Sequence, residues 1–88
     1  MRFTVPDHVH YRDLHDEIVL LDSRSDAYLG LNPSAAIVWS TLAGGHSTGQ
    51  AADALVERFG ISATVAERDV ATLITDLERR GLLMRASE

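Results

Sequence analysis

The sequence predicts an α+β fold, in which a three-stranded antiparallel sheet is followed by three helices. Between residues 8 and 31, apolar residues alternate with polar ones or form short β-branched runs, a pattern typical of strands. From residue 32 onward the apolar spacing changes to three and four residues, which is typical of amphipathic helices. With 88 residues and short connections, the chain is expected to form one domain over residues 1–88.

Three strands are predicted in the first third of the chain. In "HVHYRDL", residues 8–14, Val9 and Tyr11 share one face and polar side chains occupy the other. "EIVLLD", residues 17–22, is apolar at successive positions, so both of its faces are expected to be covered. "SRSD" supplies residues that favour a turn, and "AYLGL", residues 27–31, follows as the third strand.

The first two helices have recognisable starts and ends. Asn32 followed by Pro33 predicts an N-cap and a first helical residue, and the pair at 44–45, Gly-Gly, ends that helix. Residues 47–50, "STGQ", fit the S-x-x-Q capping box of the second helix, which Gly60 ends.

The third helix is expected to begin at residues 64–67, "TVAE", which fit a T-x-x-E capping box, and to end at Gly81. Its apolar residues recur three and four positions apart, at Ala66, Val70, Leu73, Ile74 and Leu77. Residues 82–85 are either a short extended tail or a wing strand. With that strand, the order of elements also describes a winged helix-turn-helix.

Composition excludes several classes of function. The chain has no cysteine, which excludes disulfides and thiolate metal sites. Its net charge of −5 argues against binding nucleic acid, because phosphate neutralisation dominates such binding. No apolar run reaches the length of a membrane span, and the N-terminus lacks the apolar core of a signal peptide. A cytoplasmic protein without a membrane or nucleic-acid partner is expected.

The candidate reactive residues all have simpler explanations. Asp22-Ser23 is the dipeptide at which carrier proteins attach phosphopantetheine, but a strand pattern follows it, so a hairpin turn is favoured. His8 and His10 share a strand face at a spacing that can chelate a metal, without further ligands to complete a site. No nucleophile, base or phosphate-loop motif is found. We therefore expect no catalytic residue, no metal and no cofactor.

An unprotected strand remains to be explained. Between Ala27 and Leu31 there is no charge and no Pro, the usual protections of a sheet edge. At an edge, the free N–H and C=O groups of this strand would accept an extended peptide by β-augmentation. Cover by a helix or a dimer partner explains the same pattern equally well, so a monomer or a weak dimer is expected.

Two segments carry a further signal, "VLLDSRSDAYLGLNPSAAIVWSTLAGG" and "DVATLITDLERRGLL". Together they resemble the PqqD family, the RiPP recognition elements, over about residues 8–84. The matching positions are Leu20, Leu21, Asp22, Tyr28, Leu31, Asn32, Trp39, Leu42, Gly45, Asp69, Val70, Leu73, Leu77, Gly81, Leu82 and Leu83. Asp26 departs from the pattern, since the family often has Gly in this hairpin turn.

The resemblance implies a non-catalytic protein that binds the leader segment of a ribosomally made precursor peptide and presents it to a modifying enzyme. The chain is most similar to the stand-alone proteins of lasso-peptide pathways. Their partner would be a separate leader peptidase of the cysteine-protease, transglutaminase-like type. The alternatives are a pyrroloquinoline-quinone precursor chaperone that presents to a radical SAM enzyme, and an acidic winged helix-turn-helix regulator.

In the family, the leader adds as a strand to the third strand of the sheet and packs against the third helix. The peptide-binding residues that this implies are Val19, Leu20, Leu21, Ala27, Tyr28, Leu29, Gly30, Leu31, Asp69, Val70, Leu73, Asp76, Leu77 and Arg80. Gly30 is expected to leave room for a second backbone. A bulky residue at Gly30, or Pro at Leu29, is expected to weaken peptide binding while the fold survives. Trp39 is expected to anchor the core.

Overall fold

A computed structural model describes residues 2–15 and 17–86 of the chain. It consists of five short strands and three helices in these ranges. In chain order they are β1 (Phe3–Thr4), β2 (Val9–Leu14), β3 (Glu17–Asp22), β4 (Ala27–Leu31), α1 (Pro33–Ala43), α2 (Thr48–Phe59), α3 (Ala63–Arg79) and β5 (Met84–Arg85).

The three longer strands form an antiparallel sheet in the order β2-β3-β4. The central strand is the apolar run of residues 17–22, and β4 therefore lies at one edge. In the register of the sheet, Leu20 of β3 stands opposite Tyr11 on one side and Leu29 on the other. The predicted α+β fold, with its three-stranded antiparallel sheet and three helices, is confirmed.

A second, two-stranded sheet joins the two ends of the described chain. Thr4 of β1 pairs with Met84 of β5, and the Ala86 N–H donates to the Arg2 carbonyl at 3.0 Å. Phe3 is buried beneath this sheet, with the Arg85 guanidinium 6.0 Å from its ring centre. Of the two possibilities for residues 82–85, the strand is correct. Its partner β1 was not predicted, because two residues are too short to show a period.

One hydrophobic core lies between the inner face of the large sheet and the three helices. Trp39 of α1 is fully buried, and the Tyr11 ring meets it edge to face at a centroid distance of 5.5 Å. The prediction that Trp39 anchors the core is confirmed. The other large, fully buried side chains of this core are Ile18, Leu20, Val38, Leu42, Leu55 and Leu77.

The turn between β3 and β4 explains the one departure from the family pattern. Asp26 has a φ of 57°, in the left-handed region where Gly is favoured and Asp is tolerated. The Ser25 N–H donates to the Asp22 carbonyl at 3.3 Å, and the Ser23 hydroxyl donates to the His8 carbonyl at 3.0 Å. Ser23 therefore belongs to a hairpin turn, as predicted, and not to a helix start.

The first two helix starts are confirmed, and the third is not. The Asn32 side chain accepts the Ala35 N–H at 2.9 Å, and Ser47 and Gln50 form the reciprocal capping box. However, α3 is capped by Ser62, whose hydroxyl accepts the Val65 N–H at 3.2 Å. The predicted box at Thr64 was wrong because Ser62, two residues earlier, already caps this helix.

We expect the substitution Ser62→Ala to lower the free energy of unfolding by about 1 kcal/mol, because an orphan N–H of α3 loses its acceptor. Thr64→Ala serves as the control, since Thr64 lies in the first turn and is exposed. Thr64→Ala should change stability by less than about 0.5 kcal/mol, as ordinary surface substitutions do. Urea unfolding, monitored by circular dichroism, measures the stability of both variants. Equal losses of unfolding free energy would contradict the conclusion that Ser62 caps α3.

Candidate functional site

The outer edge of β4 has no strand partner within the described ranges. The hydrogen-bond pattern of the sheet determines which backbone groups of β4 are free. The Ser23 N–H donates to the His8 carbonyl at 2.9 Å across the β2–β3 pair. In antiparallel sheets, hydrogen-bonded and non-bonded pairs alternate along each ladder. Leu21 and Val19, which precede Ser23 by two and four positions, therefore bond to β2.

The remaining residues of β3, among them Ile18 and Leu20, therefore bond to β4. Their partners in the register are Leu31 and Leu29. Tyr28 and Gly30, which alternate with those partners along β4, consequently direct their N–H and C=O groups away from the sheet. This edge offers two donors and two acceptors to an added strand.

The side chains of β4 leave this edge accessible. Tyr28 is 73% exposed, and Ala27 and Gly30 are also exposed. A Cβ built on Gly30 would have no heavy atom within 4 Å. Since Gly30 stands opposite Val19 in a non-bonded pair, that Cβ would lie on the outer face of the sheet, not in the path of an added strand. The predicted need for Gly at this position therefore has no support from crowding within the chain.

A groove of about 730 Å³ lies between the start of α1 and one side of α3. Asn32 and Ala35 line it from α1, immediately after β4 ends. Asp69, Leu73 and Asp76 line it from α3. Buried Val38 and Leu55 also contribute, so the groove has an apolar base and polar walls.

The structure places the predicted site residues in several different parts of the fold. Asp69, Leu73 and Asp76 lie in the groove. Tyr28 and Gly30 supply the open edge. Four of the others are core residues whose side chains cannot meet a ligand directly: Leu20, Leu31, Val70 and Leu77. Leu29 is half-buried on the helix side and Ala27 is exposed at the start of β4.

The last group lies on the opposite face of the sheet. Val19, Leu21 and Tyr28 line a separate shallow depression of about 440 Å³ with Leu14 and Arg12 of β2. Because β3 side chains alternate, Val19 and Leu21 point away from the face on which Leu20 packs against the helices. The structure therefore does not bring Val19 and Leu21 together with α3.

Arg80 makes an ion pair within α3. Its Nε lies 3.2 Å from an Asp76 carboxylate oxygen, one helical turn earlier. The groove is instead lined by Arg79, which was not predicted, together with Asn32, Ser34, Ala35 and Thr72. Thr72 could have been found from the sequence, because it follows Asp69 by three positions on the same side of the helix. Arg79 could not, because it lies about 80° around the helix from Asp69, whereas Arg80 lies about 20° from it. The α1 residues could not, since only tertiary packing places them there.

An ion pair stabilises the β3–β4 turn, and the Arg24 side chain of this turn lies close to the end of α3. The Asp22 carboxylate accepts the Arg24 backbone N–H at 2.9 Å and lies 3.4 Å from its guanidinium. These hydrogen bonds from Arg24 lower the pKa of Asp22 below its ordinary value, so the carboxylate is ionised at neutral pH. A Cβ on Gly81, whose φ is 74°, would come within 2.6 Å of an Arg24 nitrogen, and His8 Nε2 lies 2.8 Å from the Gly81 carbonyl.

Neither metal ligation nor membrane insertion is indicated by the described residues. They contain no cluster of three or more His, Asp or Glu side chains arranged to hold a metal ion. In the same ranges, no helix combines the length and the apolar character that crossing a bilayer requires.

The family profile described as coenzyme PQQ synthesis protein D (PqqD) matches residues 17–83 of this chain. The chain belongs to the PqqD family. The resemblance drawn from the sequence is thereby confirmed, and the matched range contains β3, β4 and all three helices. No curated protein matches the sequence of this PqqD-family member.

Two solved structures share the fold of this PqqD-family chain. "Lasso peptide synthetase B1 complexed with the leader peptide" is 33% identical, with a TM-score of 0.87 over 97% of this chain and 100% of that one. "TbiB1 in Complex with the TbiA(beta) Leader Peptide" is 26% identical, with a TM-score of 0.87 over 100% of both chains. Both are complexes of a small protein with a leader peptide.

Proposed function

We propose that this PqqD-family protein binds the leader segment of a ribosomally synthesised precursor peptide and performs no catalysis itself. The leader adds as a fourth strand at the open edge of β4, beside the groove of α3. The protein then delivers the bound precursor to a leader peptidase of the cysteine-protease, transglutaminase-like type in a lasso-peptide pathway.

The open edge of β4 is the observation that carries this proposal. It offers outward N–H and C=O groups at Tyr28 and Gly30, and a groove with an apolar base begins at Asn32, directly after β4. Backbone pairing with a side-chain groove alongside is the arrangement that β-augmentation uses. The likeness to lasso peptide synthetase B1, at 33% identity over 97% of this chain, supports a leader peptide as the added strand.

The family description supports one alternative, a chaperone for a pyrroloquinoline-quinone precursor that presents it to a radical SAM enzyme. Both functions use the same peptide site and differ in the enzyme served. Peptide cleavage by the leader peptidase and precursor modification by the radical SAM enzyme distinguish them, because the protein should accelerate only the reaction of its own partner. The DNA-binding alternative is disfavoured, because the chain has a net charge of −5 and exposes Asp69 on α3, whereas DNA binding requires neutralisation of phosphates.

The test is the binding of leader peptides to the full chain. Calorimetry measures the affinity, and amide hydrogen exchange identifies the residues that the peptide protects. The probes are the TbiA(beta) leader and the leader encoded by any short precursor gene beside this one. On saturation, the Tyr28 and Gly30 amides should become protected from exchange, while those of Leu29 and Leu31 are protected already. Binding without added protection at Tyr28 and Gly30, or no binding of either peptide at 100 µM, would refute the proposal.

A further inference from the structure

We infer that the outer face of the large sheet, which is turned away from the helices, is the surface on which the enzyme that receives the precursor docks. The matching surface of that enzyme is apolar and carries carboxylates at its border. This inference rests on the proposed function and adds to it the place where the receiving enzyme binds.

The register of the sheet defines which side chains form this outer face. Since side chains alternate along each strand, residues that pair across the strands share a face. The three rows of the outer face are His10, Leu21 and Tyr28, then Arg12, Val19 and Gly30, and finally Leu14 and Glu17. The shallow depression of about 440 Å³ lies in this face, and all the residues that line it belong to β2, β3 and β4. No described helix covers it.

The outer face exposes more apolar surface than the fold requires. Tyr28 is 73% exposed and Leu14 is 46% exposed, and Val19 and Leu21 between them are only half-buried. The central strand of a sheet is usually apolar on both faces only where both faces are covered. A contiguous apolar patch with a polar border on a small protein marks an interaction site. A second protein is therefore the missing cover.

The charges around the patch indicate what kind of protein fits. The chain has 13 acidic and 8 basic residues, yet no carboxylate lines the depression, which is bordered by His10 and Arg12. Glu17 stands at the corner of the face, outside the depression. The Arg12 guanidinium forms no hydrogen bond or ion pair within residues 2–15 and 17–86. Asp or Glu at the border of the partner would complement this guanidinium.

A second copy of this chain fits the patch less well than a different protein does. In a symmetric dimer through this face, each copy would bring the same basic residues, His10 and Arg12, into one small interface. Like charges that approach in an interface are unfavourable, and the depression contains no carboxylate to compensate them. The occupant is therefore a protein with an acidic border.

The patch is continuous with the edge at which the leader is proposed to bind. Tyr28 and Gly30 belong both to the outer face and to the open edge of β4. A strand added at this edge lies about 4.8 Å from β4 and turns every second side chain to the outer face. The loaded protein thus has an outer face four strands wide, and one of these strands is the precursor. An enzyme docked there contacts both and binds the loaded form more tightly.

The experiment measures the affinity of the full chain for the leader peptidase encoded beside it, with the reactive cysteine of that enzyme replaced by alanine. Calorimetry with and without a saturating leader peptide should show at least about fivefold tighter binding of the loaded form, the low end of typical coupling between sites. Arg12→Glu should weaken binding of the peptidase about fivefold in 50 mM salt and less in 0.5 M salt. Leu14→Ser should weaken it about tenfold, because an apolar side chain is no longer buried.

Each of the two variants has a matched control elsewhere on the surface. Arg68→Glu makes the same change of charge at an exposed position of α3, and Met84→Ser removes an apolar side chain that is 52% exposed on β5. Both controls should change the affinity for the peptidase less than twofold. Since Arg12 and Leu14 lie on β2, away from β4, all four variants should bind the leader peptide as the unmodified protein does.

Site-specific cross-linking locates the enzyme independently of affinity. The chain has no cysteine, so His10→Cys creates a unique attachment point for a photoreactive cross-linker. The peptidase should be captured from this position and not from Arg68→Cys on α3.

Equal losses in a variant and its control, equal affinity with and without leader peptide, or capture from position 68 in place of position 10 would each overturn the docking inference. Absence of peptidase binding to the loaded, unmodified protein would do the same, and leader binding itself would stand in all of these cases. Failure of every leader peptide to bind the unmodified protein would instead overturn the proposed function.

Discussion

The substitution Gly30→Pro should weaken leader binding by tenfold or more without unfolding the protein. Pro lacks the N–H that Gly30 directs outward from β4, and the peptide carbonyl that would accept it is left unpaired. A lost hydrogen bond is worth about 0.5–1.5 kcal/mol and an unpaired buried acceptor costs about 1–3 kcal/mol, which together exceed the 1.4 kcal/mol of a tenfold change. Calorimetric titration with a leader peptide measures the loss.

Two neighbouring substitutions act as controls. Gly30→Ala keeps the N–H and places its Cβ where no atom lies within 4 Å, so affinity should change less than threefold. Leu29→Pro instead removes an N–H that bonds to β3, and we expect it to destabilise the sheet itself, because Pro is tolerated only where the N–H faces away from the ladder. Equal affinity of the Pro and Ala variants at Gly30 would contradict the edge-pairing mechanism.

The register also corrects what the sequence suggested about these two positions. On the sequence alone, Pro at Leu29 was expected to spare the fold, and bulk at Gly30 was expected to block the peptide. Which of two adjacent strand residues faces the edge depends on the phase of the hydrogen-bond ladder. A strand sequence does not encode that phase, and only the pairing with β3 reveals it.

Trp39→Ala should lower the free energy of unfolding by about 3–5 kcal/mol, the usual cost of removing a buried large aromatic side chain. Trp39 is fully buried and packs edge to face with Tyr11. An 88-residue domain has about 4–13 kcal/mol of stability in all, so this variant should be close to unfolding. Because Trp39 is the only tryptophan, unfolding must be followed by circular dichroism at 222 nm, not by fluorescence.

Trp39→Phe provides a graded comparison at the same position. The Trp39 indole N–H is the one buried side-chain polar atom without a hydrogen-bond partner among the described residues. Phe removes this unpaired donor and retains an aromatic ring against Tyr11. Trp39→Phe should therefore lower the free energy of unfolding by less than half as much as Trp39→Ala. A loss below 1 kcal/mol for Trp39→Ala would show that the core does not depend on this residue.

Elements of the fold with a clear apolar period were predictable, and those set by distant contacts were not. Residues 17–22 and 27–31 were recognised with the bounds that the structure has, because β-branched and alternating runs end at turn residues there. β1 was not predicted from the sequence, because its two residues form a strand only by pairing with β5.

The candidate site was predicted only in part, for a related reason. Asp69, Leu73 and Asp76 were identified through the family resemblance and lie together in the groove. Val19 and Leu21 were assigned to the same groove, whereas the alternation of β3 places them on the opposite face of the sheet. The apolar character of a central strand shows that both faces are occupied, but it does not show which partner each face has.

The few free backbone groups at Tyr28 and Gly30 can supply only part of the binding free energy of a peptide. Two donors and two acceptors contribute together about 2–6 kcal/mol before the cost of ordering the peptide, whereas a micromolar complex requires about 8 kcal/mol. Side chains in the groove must supply the remainder, so affinity depends on the peptide's sequence. With association near 10⁶ M⁻¹s⁻¹, a micromolar complex lasts about one second. Such a lifetime is compatible with the proposed transfer of the bound precursor to a second enzyme.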